Sequence, residues 1–502
     1  MFQSRPCCYC ILCTLLGLAI TWLMLFGHAP AAHAQEVSFI KEVAPILKEN
    51  CFACHDAKVK KGKFDMTTYA GFRNGGTKDD PITPGKAKAS ILIDVLTSMG
   101  KDRMPPKDVS KPLAKEKIDI IAKWIDQGAK LDAGIDAKAS LVRELRSRWQ
   151  PPTPAPAYKF PNVVNALAFT PDGKSLVVGG HHELLVWDYN TGKLERRILT
   201  RAERTYALAY LPDGKLAVAG GRPGQEGDVR IYNIQAGKPK DLGGVPTVDG
   251  VNDKDVLLQI VADADDSLLA LAISADGKKL AAGGCDRFVR IFELPSGKLE
   301  QSIENHADWV LGVGFSPDGK KIITGSRDRT AKVWDTVAKE SVVAFPEANA
   351  VYAVVITPDG ENGVSACEDG GVRMWAAKPQ TKQGKSLGSH GKPALRMAQW
   401  IDPKDAKKSL LASSGADGTI KLYNPIGGAA LKSGAGFTDW VYAVAISPDG
   451  QLVAGGSYNG EVRVFKVADG ALIKAFDATP GAIVKVEEKK TEDKKKVEEK
   501  KK

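Results

Sequence analysis

Two periodicities divide the chain. From residue 36 onward, apolar positions recur at helical spacing. In "VSFIKEVAPILKENC", Ile40, Val43 and Leu47 fall on one helical face, and Pro45 either interrupts that helix or sits in its first turn. The stronger pattern is "KEKIDIIAKWIDQGAK". Ile118, Ile121, Ala122 and Ile125 follow the i, i+3, i+4, i+7 rule, and Gly128 suits the position after a helix end. Between these two, "PGKAKASILIDVLTS" predicts a third helix. From about residue 160 the period shortens to two: runs such as "VYAVAI" alternate as strands, and "PDG" supplies the turn that follows.

The strand pattern is also a repeat. "AFTPDGKSLVVGG" at 168 is rewritten at 209, 272, 314, 355 and 445, with a weaker copy, "WIDPKDAKKSLLASSG", at 400. The spacing is about 41 to 45 residues, except for an insertion after the second copy, and a period of that length with four short strands is a propeller blade. Each third strand ends in an aromatic: Trp187, Tyr232, Phe292, Trp334, Trp375, Tyr423 and Phe465. Six residues earlier stands a short acceptor in five copies, Asp286, Asp328, Asp369, Asp417 and Asn459, suited to hold the turn's backbone N–H groups. With "VWD" at 186 and 333, residues 161–477 resemble the WD-repeat propellers. The resemblance implies an all-β seven-bladed propeller, and pairs His306–Asp328 and His390–Asp417 across a loop. His181 and Glu226 replace the turn acid in the first two copies. The insertion, about 243 to 266, is acidic and reads as loop. The repeats leave open whether "APAYKF" at 155 adds a closing strand.

Length, 502 residues, fits two to four domains. Residues 1–34 order one positive charge, an uncharged apolar run and Ala32-His33-Ala34, the layout of a signal peptide cleaved before Gln35. The rival is an uncleaved anchor, the one route to membrane contact. Export implies a periplasmic or cell-envelope location. It also separates the chain from nucleic acid, despite the net charge of +10. Residues 136–160, ending in "SRWQPPTPAPAYKF", read as a proline-rich linker, and 478–502 as a charged, disordered tail.

Outside the signal segment four cysteines remain, and two of them lie in "ENCFACHDA". Two thiols spaced to reach one porphyrin edge, with an imidazole directly after the second, form the c-type haem attachment pattern. Zinc wants four ligands, and no further cysteine or histidine occurs before His181. A disulfide between Cys51 and Cys54 is the remaining alternative, and it leaves His55 unexplained. The domain holds no second histidine, so the sixth iron ligand would come from Met66, Met99 or Met104. Met104, stiffened by two prolines in "GKDRMPPKD", is the expected one, with Met99 and Met66 as packing; the alternative is a five-coordinate iron.

"VAPILKENCFACHDAKVKKGKFDMTTYAGFRNGG", "PGKAKASILI", "RMPPK" and "IIAKWIDQGAKL" together resemble the planctomycete-type cytochrome c domain. The resemblance implies a small all-α haem domain over 36–135, with one covalent haem c on Cys51 and Cys54, His55 as proximal ligand and Met104 as distal ligand. Ala114 stands where that family often places a serine cap. The expected protein is therefore multidomain: an electron carrier whose propeller meets a redox or scaffold partner. The alternative is a haem enzyme or sensor in which the propeller binds a substrate or partner. The propeller shows no nucleophile–base pair, metal cluster or phosphate loop, which disfavours an enzyme.

Overall fold

The computed structural model describes residues 36–77 and 80–482. The expected signal segment and the chain beyond 482 lie outside the described residues. The chain divides into two compact units, one ending at Trp149 and one beginning at Gln150.

The first unit is helical. Ser38 opens it with a reciprocal cap: its Oγ accepts the Lys41 N–H at 3.0 Å, and its own N–H donates to Glu42 Oε2 at 2.9 Å. Pro45 lies in the first turn of α1 (Ala44–Asn50), which continues directly from a π-helical turn, Phe39–Val43. Next come α2 (Tyr69–Asn74), capped by Thr68, and α3 (Ile91–Thr97). The long α4 (Lys115–Asp126) begins at Ala114 without a side-chain cap, and Gly128 follows it with φ +98°. A further helix, α5 (Leu141–Arg148), occupies part of the stretch expected to be linker. It forms because Leu141 is fully buried in the same core as Ile121 and Ile125. Aromatic rings fill the centre of that core: Phe39 lies 5.0 Å from Trp124 and 5.1 Å from Tyr69, and Phe72 lies 6.2 Å from Trp124.

The second unit is β-sheet: one nine-stranded sheet followed by five four-stranded antiparallel sheets. The large sheet is two four-stranded sets sharing the 18-residue strand Lys193–Tyr210. Its first part pairs with His181–Asp188 and its last part with Leu216–Arg222. The insertion is not a loop. Val245–Val248 pairs antiparallel with Lys240–Leu242 and parallel with Lys193–Tyr210, and Leu257–Ala264 is the outermost strand of the second set. The hairpin covers an otherwise open strand edge, and Val248 and Val256 are buried in the core there.

The repeated side chains do repeated work. All seven third-strand aromatics are buried. Ser316 Oγ donates to Asp318 at 2.6 Å, and Gly319 takes φ +68° to complete the "PDG" turn. His306 Nδ1 lies 2.8 Å from Asp328 and His390 Nδ1 2.9 Å from Asp417, as the resemblance implies. In each case the other ring nitrogen meets a hydroxyl, Thr324 or Ser413. Thr324 also accepts from Trp334 Nε1 at 3.2 Å, so turn, loop and core are tied in one network.

Innermost strands of successive sets adjoin in chain order, and Val441–Ile446 adjoins Leu167–Phe169, so the last set meets the first. The last set is complete in itself, and "APAYKF" adds no strand. Side chains close the seam instead. The Asn162 N–H donates to Thr479 Oγ1 at 2.9 Å, and its Nδ2 donates to Gly179 O and Ala478 O. Arg197 and Glu183, both fully buried, pair through two bonds of 2.7 and 2.6 Å. Arg197 also donates to Ala155 O and Pro156 O, and the Tyr158 hydroxyl donates to Glu183, so this pair fastens the entering segment.

Candidate functional site

The cysteine motif follows α1 directly. As the helix unwinds, Cys54 N–H and His55 N–H both donate to Cys51 O at 3.1 Å, which bends the motif into one tight turn. The Asp56 carboxylate then accepts the N–H groups of Lys58 and Val59, and these bonds hold it below the usual carboxylate range. Lys61 N–H donates back to Cys54 O, and Met66 N–H donates to His55 O at 2.8 Å. His55 is thus anchored through its backbone on both sides, with the Phe64 ring 5.3 Å from its imidazole.

These residues form part of the wall of a cavity of ≈ 380 Å³, the size range of small-molecule and cofactor sites. Cys51, Cys54, His55 and Met104 all line it. So the structure brings together every site residue expected from the sequence. Ile91, Leu92, Val95 and Leu96 of α3 supply an apolar wall. Met104 is tied to that wall through its N–H, which donates to Val95 O at 2.9 Å. Arg103 beside it is buried and donates to Ser110 O at 2.5 Å, which braces the loop. Met66 also lines the cavity, and it is buried as expected for packing. Met99, expected in the core, is 74% exposed. It lies two residues past the end of α3.

Several features of this wall suit a large planar group. The surface is mostly apolar carbon. A Cβ at Gly76 would stand 2.3 Å from Gly62 O, so the backbone here packs as closely as glycine permits. His55 Nδ1 is buried with no hydrogen-bond partner, a cost that a buried polar atom rarely bears without function. Burial, with the neighbouring Cys54 charge, pushes the Cys51 thiol up to about 12. Cys51 is therefore a neutral thiol in the bare protein, and neither it nor Cys54 is in a disulfide. A dithiol, an imidazole and a thioether around an apolar cleft fit a haem better than a hydrated ion. Among the described residues, no three His, Cys, Asp or Glu side chains gather as a metal site.

The α3 wall, Phe64 and Arg103 were not legible as site residues. Most of them lie in segments that carry the resemblance, but their roles come from contacts: Val95 O accepts from Met104 N–H, Phe64 sits beside His55, and Arg103 braces the loop through Ser110 O.

Comparison with known proteins agrees with this division. Residues 51–108 match the family described as Planctomycete cytochrome C. Residues 156–188, 257–293, 297–335, 340–376 and 430–466 match the WD domain, G-beta repeat. The chain thus joins a cytochrome c-like segment to WD repeats. The first family suggests a haem cofactor, and the repeats are of a kind that generally mediates protein–protein contact. Two curated relatives are similar over parts of the repeat region. WD repeat-containing protein VIP3 of Arabidopsis thaliana is 28% identical over 99 residues, 20% of this chain and 31% of that protein. Serine-threonine kinase receptor-associated protein of Gallus gallus is 26% identical over 195 residues, 39% of this chain and 53% of that protein. The chain therefore spans about a third and about half of the length of these relatives.

Proposed function

We propose that the protein is an exported electron carrier. One haem c is attached through Cys51 and Cys54 and ligated by His55 and Met104, and a seven-bladed propeller docks a redox or scaffold partner. The observation that carries this reading is the single cavity lined by all four of those residues. A haem iron held by histidine and methionine takes up and releases one electron, and the thioether raises its reduction potential.

The remaining roles belong to the chain. Cys51 and Cys54 anchor the group by thioether bonds to one porphyrin edge. His55 presents its imidazole from a turn fixed at both ends. Met66 is bonded to His55 through the backbone and so belongs to the His55 wall, whereas Met104 is tied to α3; Met104 is therefore the methionine suited to the distal face. The α3 wall excludes water. Lys58, Lys60, Lys61 and Lys63 are exposed just after the motif, a cluster that suits an acidic docking face on a redox partner. The propeller reading rests on the run of four-stranded sets whose innermost strands adjoin in order, first against last.

Covalent attachment is tested by denaturing the mature protein from an exporting, haem-attaching host. Haem should remain with the polypeptide, and the double variant Cys51→Ala/Cys54→Ala should release it. Release from the unaltered protein would refute the attachment. The N-terminus of the same material should be Gln35; an intact N-terminus would leave the leader as an anchor.

A further inference from the structure

The seven innermost strands of the second unit surround a central channel of ≈ 150 Å³. One register position faces the same neighbours in every set. Ala207, Ala270, Gly312, Ala353 and Ala443 each follow a bulge in their strand and pair with the penultimate residue, or its equivalent, of the next strand: Ala219, Gly283, Gly325, Ala366 and Gly456. Ala166 holds that place in the first set, where its carbonyl accepts from Gly179 N–H. In the sixth set the position is Arg396, after the same bulge and opposite Ser414. Six strands thus keep this level of the channel small and apolar, and the seventh places a guanidinium in it.

That guanidinium has little company. Its one hydrogen bond runs to the carbonyl of its own neighbour, Leu395, at 3.4 Å. Among the described residues it makes no ion pair, and no carboxylate lines the channel. Burial, with no anion to offset it, holds the group below its ordinary value. Arg396 is half-buried at the channel wall with no counter-charge in reach, and a guanidinium's planar fork matches a carboxylate or phosphate. Water alone would not require an arginine here, since the alanines opposite show that the strand pairing forms without one.

We propose that the channel is a binding site for a small oxyanion, a carboxylate or a phosphate, held by the Arg396 guanidinium. The volume admits an anion of a few heavy atoms and excludes a nucleotide.

The test is thermal denaturation of the full haem-loaded chain at constant pH and ionic strength. Sodium chloride is exchanged stepwise for sodium acetate or inorganic phosphate. In the unaltered protein the midpoint of the sheet unit should rise and saturate with one of the two anions, as specific binding to the folded state requires. The anion that saturates at lower concentration identifies the class. Arg396→Ala, which installs the residue found in the other sets, should fold and lose the saturating shift. Arg396→Lys should weaken it at least tenfold in half-saturating concentration. Equilibrium dialysis of the unaltered protein against the same anion should give one bound per chain. An equal shift in Arg396→Ala, or no saturating shift and no bound anion in the unaltered protein, would overturn the proposal. Both readouts report on the sheet unit and compare the unaltered protein with Arg396→Ala at equal haem content, so failure here is distinguishable from failure of the electron-carrier reading.

Discussion

Individual side chains divide into those whose chemistry is written in their type and those whose role depends on where the fold puts them. Cys51, Cys54, His55 and Met104 belong to the first kind. Their spacing and their scarcity single them out in the sequence, and all four line one cavity. Met99 was misread because apolar character near a helix predicts burial, whereas its position past the end of α3 leaves it exposed. Glu183 and Arg197 belong to the second kind. Nothing in "HHELLVWD" or "KLERRIL" announces a fully buried pair that clamps the entering chain. Glu183→Gln should leave a buried guanidinium without its counter-charge and cost about 3–5 kcal/mol. Urea unfolding of the sheet unit measures this. A loss below about 1 kcal/mol would mean that the backbone carbonyls of Ala155 and Pro156 suffice for Arg197.

Among elements, period and punctuation served best where they repeat. The strands and "PDG" turns were legible because one pattern recurs, and α4 because its apolar face is long. The six-residue α2 and eight-residue α5 were not, since short helices depend on tertiary packing more than on propensity. The insertion misled for a related reason. Its acidic composition reads as loop, but a strand edge was available to pair it. Two predictions belong here. Trp375 is 2% exposed and stacks on Phe345 at 4.7 Å, so Trp375→Ala should cost about 3–5 kcal/mol in chemical denaturation. The second concerns acid. Burial lowers the pKa values of His306 and His390, and their bonds to Asp328 and Asp417 only partly offset it. Protonation therefore favours the unfolded chain, whose histidines titrate near 6.5. The stability they contribute is full above that pH and is lost as pH falls through the lower folded values, by up to about 1.4 kcal/mol per pH unit for each. Melting curves between pH 7.5 and 5 should show this fall. His306→Gln/His390→Gln should be less stable at pH 7.5 and show a shallower slope; an unchanged slope would contradict the assignment.

The whole molecule is two cores with separate logic. The helical unit surrounds an apolar cleft lined by the cysteine motif and Met104; the sheet unit draws its stability from repetition and from a seam sewn by Asn162 and Arg197. Because each unit has its own core, unfolding should not be a single two-state event. Limited proteolysis should cut between Trp149 and Pro154, ahead of the carbonyls held by Arg197, and release fragments that each melt as they do in the intact chain. Cleavage that unfolds either fragment would refute this independence.

The proposed function stands or falls on a low-spin haem ligated by His55 and Met104. The most direct measurement is the absorption spectrum of the mature protein, oxidised and reduced, beside that of Met104→Ala. The expected result is sharp reduced bands of a c-type haem with a weak far-red band in the oxidised form, and loss of that band alone in the variant. A high-spin spectrum in the unaltered protein, or a far-red band that survives Met104→Ala, would contradict methionine ligation by Met104 and turn the account towards ligand sensing or catalysis.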